Sequence, residues 1–120
     1  MRYLLDTNVI IGILANKPDA VSATSGNGIQ PGDCAYSAIT RMELLGFAEI
    51  TAQETNDIGE LLARMVYLPL TSAIEDSAIS LRRQRKVKLP DAIIAATASV
   101  HSLELISADK DLCALVKSMP

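Results

Sequence analysis

Apolar residues fall along this chain as short runs, each followed by a stretch with helical spacing. Residues 2–5 (Arg-Tyr-Leu-Leu) predict a short buried strand, and Val9-Ile10-Ile11-Gly12-Ile13-Leu14 carries it into a helix, the start of a βα unit. Lys17-Pro18 closes that helix, because proline disfavours helical backbone at the residue before it. Residues 34–39 predict a second strand. Thr40 is placed to cap the next helix, with Glu43 three positions on as its capping-box partner. Residues 51–63 have the spacing of an amphipathic helix with Ile58, Leu61 and Leu62 on its apolar stripe. Residues 65–70 predict a third strand, stopped near Pro69. Ser72 then opens a long helix with Ala73, Ala78, Ile79 and Leu81 inward, ending in a basic cluster. Leu89-Pro90-Asp91 begins a helix that is apolar on nearly every face through Ala98. Residues 103–107 predict a fourth strand and 109–117 a closing helix. Residues 22–33, rich in Gly, Ser and Pro, are expected to be the least structured stretch. Turn chemistry accounts for Gly26 and Gly28 without any phosphate-cradling role.

Strands alternating with helices predict the α/β class: a short parallel sheet of about four to five strands, with helices on both faces. The 120 residues are the size of a single domain, 1–120. In such sheets the ligand site lies beyond the carboxyl ends of the strands. Asp6 and Asp109 follow predicted strands at that edge, while Asp91 and Glu43 are expected in the first turns of helices. Each acid has an innocent role as a helix cap or a first-turn charge. Together they are harder to explain. Carboxylates gathered at one edge repel by roughly a few kcal/mol per close pair at an effective dielectric near ~20. A divalent cation such as Mg²⁺ or Mn²⁺, which prefers carboxylate oxygens and water, would neutralise that charge.

Composition narrows the alternatives. Half of the chain is apolar (49%), enough for a real core. No apolar run approaches the ~20 residues needed to span a bilayer, and Asp6 interrupts any signal-peptide core, so a cytoplasmic protein without membrane contact is expected. Cys34 and Cys113 lack metal-type spacing partners and read as small buried hydrophobes. A net charge of −3 gives no global field for nucleic acid. Locally the balance differs: Arg82, Arg83, Arg85, Lys86 and Lys88 fall in one stretch, either as a solvated helix end or as a phosphate-binding patch. With three Tyr, one Phe and no Trp, a stacking platform for bases is not indicated. The single histidine, His101, reads as a surface or capping residue, and zinc lacks its usual ligands.

Four segments resemble the motifs of PIN-domain nucleases, in the family's order. Leu4-Leu5-Asp6-Thr7-Asn8-Val9-Ile10 is similar to the opening motif, and residues 37–46 (Ser-Ala-Ile-Thr-Arg-Met-Glu-Leu-Leu-Gly) to the second. Residues 88–98 resemble the third, especially as found in VapC-type toxins, and residues 105–112 the last. The resemblance implies a Mg²⁺- or Mn²⁺-dependent endoribonuclease, the toxin of a VapBC-type toxin–antitoxin pair, acting on RNA. By position, Asp6, Glu43, Asp91 and Asp109 would be the metal-binding, catalytic acids. Thr7, Asn8 and Ser107 would be supporting polar neighbours, with Asp111 a rival of Asp109 for the fourth place. A homodimer and a VapB-like antitoxin are implied as partners, with Arg82, Arg83, Arg85 and Lys86 as candidate contacts to RNA or partner. The chain departs from the pattern at residues 22–33, where many relatives carry a helical hairpin, at Leu112, where an aromatic is common, and at Ser107, where threonine is usual.

Other readings compete. A PIN-like domain can serve in RNA processing, or as a catalytically silent module binding RNA or protein. Asp6-Thr7-Asn8-Val9 also loosely resembles the nucleophile loop of haloacid-dehalogenase-type phosphatases. Asn8 would then stand in place of their second aspartate, and 120 residues leave little room for the remaining motifs.

Overall fold

Adjacent residues of the first strand point to opposite sides of a sheet, and the core divides accordingly. A computed structural model describes residues 1–120. Four parallel strands, β1 (Tyr3–Leu5), β2 (Cys34–Ser37), β3 (Val66–Leu68) and β4 (Glu104–Ile106), lie in the order β3-β2-β1-β4. Leu4, Ala35, Leu68 and Leu105 face one cluster, and Leu5, Cys34 and Tyr36 face the other, as the two-residue period of a strand requires. The helices are α1 (Thr7–Leu14), α2 (Pro18–Ala23), α3 (Ala38–Leu45), α4 (Ala52–Ala63), α5 (Ser72–Gln84), α6 (Leu89–Val100) and α7 (Lys110–Ser118). The first cluster packs the sheet against α5, α6 and α7 through Ile74, Ala78, Leu81, Ile94, Leu112 and Leu115. The second packs it against α1, α3 and α4 through Ile10, Leu44, Ile58 and Leu62. The expected α/β architecture with helices on both faces is therefore present. No helix is long and apolar enough to cross a membrane.

Helix α6 lies deepest. Ala92, Ala95, Ala96 and Ala98 are all fully buried, and the small side chains let the helix approach both the sheet and α5 closely. Pro90 occupies its first turn, where the missing N–H has no intrahelical partner to lose.

Several local expectations are corrected. The second strand ends at Ser37, not at residue 39, because Ser37 itself caps α3: its Oγ accepts the backbone N–H of Thr40 at 3.2 Å. Thr40 is thus inside the helix, and Glu43 falls in the second turn, beyond reach of a capping box. Thr71, not Ser72, caps α5 by accepting from the Ile74 N–H at 3.3 Å. That sets the inward face as Ile74, Ala78 and Leu81, the i, i+4, i+7 positions, and turns Ala73 and Ile79 outward. Pro18 opens α2 rather than merely ending α1, the chain reversing through Asn16 at φ 53°. Residues 22–33 hold the end of α2 and two short 3₁₀ turns, Ser25–Asn27 and Pro31–Asp33.

Candidate active site

The strand ends bring two acids of distant sequence to one edge. Leu5 pairs with Ile106 in register, and the Asp6 N–H donates to the Ile106 carbonyl at 3.0 Å. Asp6 and Ser107, the residues that follow each strand, therefore lie side by side. Ser107 Oγ donates to Asp6 Oδ2 at 2.6 Å and accepts the Asp109 N–H at 3.0 Å. Asp6 also caps α1, its Oδ1 accepting the Thr7 N–H at 2.8 Å. Asp109 caps α7, its Oδ1 accepting the Leu112 N–H at 3.0 Å. Capping and site placement thus coexist in both residues, since each cap uses one carboxylate oxygen.

The two remaining acids come from helices. Glu43 reaches back from α3 to α1, where the Thr7 hydroxyl donates to Oε1 at 2.8 Å. Asp91, in the first turn of α6, is half-buried. Desolvation pushes its carboxyl above the ordinary value. The charges of Asp109, Asp6 and Glu43 push the same way, and Lys88 opposes them.

Asp6, Glu43, Asp91 and Asp109 all line one cavity of about 170 Å³, with Thr7, Asn8 and Ser107 between them. Asp111 does not. It lines an adjoining cleft of about 560 Å³ that includes Asp91, Asp109, Arg85, Lys86 and Lys88. The basic cluster spans two concavities: Arg85 and Lys86 border both this cleft and a groove along α5 and α6 with Ile79 and Leu89, whereas Arg82 and Arg83 line only the groove. On the other side of the acids, an apolar groove of about 610 Å³ runs from Thr7, Asn8 and Glu43 to Ile11, Leu14, Phe47 and Ile58.

The side-chain donors are carboxylates, hydroxyls and the Asn8 amide, with no Cys or His, which suits a hard divalent ion such as Mg²⁺ or Mn²⁺ and disfavours zinc. As the side chains stand, the acids ring the cavity rather than closing into a ready-made cage of three or more ligands. Two residues behind the site escaped functional reading of the sequence. Ser37 and Thr40, 0% and 1% exposed, connect to Glu43 through Thr7. Their signal was the Ser37-x-x-Thr40-x-x-Glu43 spacing, which places three polar side chains within one stretch of helix.

Comparison with known proteins gives a consistent picture. The family model described as the PIN domain matches residues 3–117. The chain is 30% identical to Ribonuclease VapC2 of Mycobacterium tuberculosis (strain CDC 1551 / Oshkosh), over 95% of this chain and 84% of that protein. Among solved structures, it is similar to a toxin–antitoxin complex from Klebsiella pneumoniae, with 33% identity, a TM-score of 0.77, and 89% and 86% of the two chains covered. It is also similar to FitAcB from Neisseria gonorrhoeae, with 27% identity, a TM-score of 0.76, and 98% and 94% covered.

Proposed function

The chain belongs to the PIN domain family, and we propose that it is a Mg²⁺- or Mn²⁺-dependent endoribonuclease, the toxin of a VapBC-type toxin–antitoxin pair. The observation that carries this reading is the convergence of Asp6, Glu43, Asp91 and Asp109 on one cavity at the carboxyl edge of the sheet. Similarity to a ribonuclease, and to a chain solved in a toxin–antitoxin complex, supports the substrate class and the partner.

The four acids would hold the ion, which supplies polarisation of the scissile phosphodiester and a lowered pKa for the attacking water. The remaining contributions belong to the protein. Ser107 fixes one face of Asp6 by its 2.6 Å hydrogen bond, and the cap to Thr7 fixes the other. Thr7 holds Glu43 against α1. Asp91 sits in the first turn of α6, a helix anchored in the core by Ala92, Ile94, Ala95, Ala96 and Ala98, which sets the position of its carboxylate. Arg85, Lys86 and Lys88 border the cleft that shares Asp91 and Asp109, and form a cationic approach for RNA phosphates. Arg82 and Arg83 face another groove and are assigned no part in that approach. The products expected of hydrolysis by an activated water are a 5′-phosphate and a 3′-hydroxyl.

The test compares purified protein with its Asp6→Asn and Asp91→Asn variants on single-stranded RNA, with Mn²⁺ or with EDTA. Cleavage should require Mn²⁺ and fall by at least ~100-fold in either variant. Equal cleavage by wild type and variants, or cleavage that persists in EDTA, would overturn the assignment. Co-purification of an antitoxin-like protein from the neighbouring reading frame would support the toxin role.

A further inference from the structure

A row of three buried hydroxyls leads from the end of β2 to Glu43. Ser37, Thr40 and Thr7 are 0%, 1% and 8% exposed. Thr7 Oγ1 donates to Glu43 Oε1 at 2.8 Å and lies 2.9 Å from Thr40 Oγ1. Ser37 Oγ donates to Thr40 Oγ1 at 3.3 Å and accepts the Thr40 N–H at 3.2 Å. A hydroxyl carries a single hydrogen. Thr7 spends its hydrogen on the carboxylate, so Thr40 must be the donor in the Thr40–Thr7 pair. Thr40 then has no hydrogen left for Ser37, which donates to it instead. The row has one direction, Ser37 to Thr40 to Thr7 to Glu43, with every proton aimed at the carboxylate.

Threonines away from this row use their hydroxyls differently. Thr97, equally buried on α6, donates to the Ile93 carbonyl four residues back at 2.7 Å, and Thr24 and Thr55 do the same with Ala20 and Thr51. Thr40 lies in the first turn of α3, where the residue four positions back belongs to β2. Its hydroxyl is instead spent between α3 and α1. Glu43 itself is exposed, on a side chain with three rotatable bonds, and the Thr7 hydroxyl anchors it.

We infer that Thr40 is a positioning residue of the acidic site: by donating to Thr7 it locks the Thr7 hydroxyl toward Glu43 and holds that carboxylate ready for a divalent ion. This rests on the reading of the acids as ion ligands. A chain of hydroxyls polarised in one direction strengthens its last bond, because each donor makes its own oxygen a better acceptor and its proton a better donor. Ser37 both starts the row and caps α3, so a single residue couples the beginning of that helix to the position of Glu43 in its second turn.

The test measures Mn²⁺ affinity by electron paramagnetic resonance, alongside thermal unfolding of the same samples without metal. Thr40→Val, close in volume but without the hydroxyl, should weaken Mn²⁺ binding about 10-fold, the lower end for loss of an outer partner of a metal ligand. Thr40→Ser should restore it. In a Glu43→Gln background, Thr40→Val should change affinity no further, because its effect passes through Glu43. Unchanged affinity in a folded Thr40→Val, or an equal loss in both backgrounds, would overturn the inference while leaving the ion site standing. Failure of the wild type to bind Mn²⁺ would instead remove the reading of the acids and this inference with it. Should Thr40→Val not fold, Thr40→Ala carries the same comparison.

Discussion

Ser107 donates its hydroxyl hydrogen to Asp6 Oδ2 at 2.6 Å, joining two residues 101 positions apart across the seam between β1 and β4. The same oxygen accepts the Asp109 N–H, so one small side chain orients two of the four acids. Replacing it with alanine removes both bonds and leaves the strand pairing intact. Ser107→Ala should lower Mn²⁺ affinity by about 10- to 100-fold, the range seen for outer partners of metal ligands. Ser107→Thr, which keeps the hydroxyl, should remain within about 3-fold of wild type on that same scale. Calorimetric titration with Mn²⁺ measures both, and equal affinity in all three proteins would remove Ser107 from the site.

The rivalry between Asp109 and Asp111 has a clean experimental form. Asp109 lines the acidic cavity and raises the Asp91 pKa, whereas Asp111 lines only the adjoining cleft. Asparagine caps a helix about as well as aspartate, so Asp109→Asn keeps the α7 cap while removing the charge. Asp109→Asn is expected to reduce RNA cleavage by ~100-fold or more, and Asp111→Asn by less than ~10-fold. Both proteins should melt close to wild type. A larger loss in Asp111→Asn would reverse the assignment.

The Asp91 carboxyl sits above its ordinary value, and the sign of the resulting pH dependence follows. The unfolded chain releases this proton at the ordinary carboxylate value; the folded chain keeps it to higher pH. Between those values the folded state binds more protons, so stability of the metal-free protein falls as pH rises through that window and then levels. Asp91→Asn should remove this component and raise the melting temperature of metal-free protein at pH 7. Mn²⁺ should offset the penalty in wild type, raising its melting temperature more at pH 7 than at pH 4. A melting temperature of Asp91→Asn below wild type in EDTA would contradict this account.

How far the sequence revealed this arrangement differs from residue to residue. The sheet was legible because strands with both faces covered are short, apolar and separated by helical spacing, and because acids that follow such strands must fall at the carboxyl edge. Asp6 and Asp109 could be located that way, and Asp91 by the Leu89-Pro90-Asp91 opening of its helix. Glu43 could not, because its place depends on where α3 begins. Ser37 and Thr40 both have the chemistry of a cap, and only the extended backbone of Ser37 (φ −86°, ψ 167°) decides between them. One residue's choice of role moved Glu43 from the first turn to the second. The basic cluster is a similar case. Consecutive charges on one stretch look like one patch, but α5 ends at Gln84, and past that point only Arg85, Lys86 and Lys88 reach the cleft beside the acids, while Arg82 and Arg83 stay on the groove along α5.

Cys34 is held in its inert form. It is 2% exposed on β2, and burial, with the charge of Asp33 beside it, pushes its thiol up to about 11. Reaction with alkylating agents requires the thiolate, so at pH 8 the native Cys34 should resist iodoacetamide and react only on unfolding. Mass spectrometry of peptides after labelling, with and without denaturant, reads this directly. Rapid labelling of Cys34 in the folded protein would show that β2 opens locally or that its packing is looser than described.

Gly12 poses opposing effects whose magnitudes decide the outcome. In the middle of α1, alanine is favoured over glycine by about 1 kcal/mol of helix propensity. Yet a Cβ at Gly12 would meet the Ala20 Cβ of α2 at 2.6 Å, far inside the ~3.5–4 Å of ordinary carbon contact. Helix α2 would have to move by about 1 Å to relieve it, and overpacking of that kind costs typically ~1–3 kcal/mol. The contact term should win, making Gly12→Ala less stable than wild type in urea unfolding. The displacement also matters beyond stability, because α1 and α2 form a groove with Asn8 and Ser107 at its edge. Removing the opposing methyl group isolates the cause. In an Ala20→Gly background the clash is absent, and Gly12→Ala should then stabilise by its propensity alone. A non-additive pair of this sign assigns the effect to the α1–α2 contact. Stabilisation by Gly12→Ala in the wild-type background would mean that α2 yields freely and is not held closely by α1.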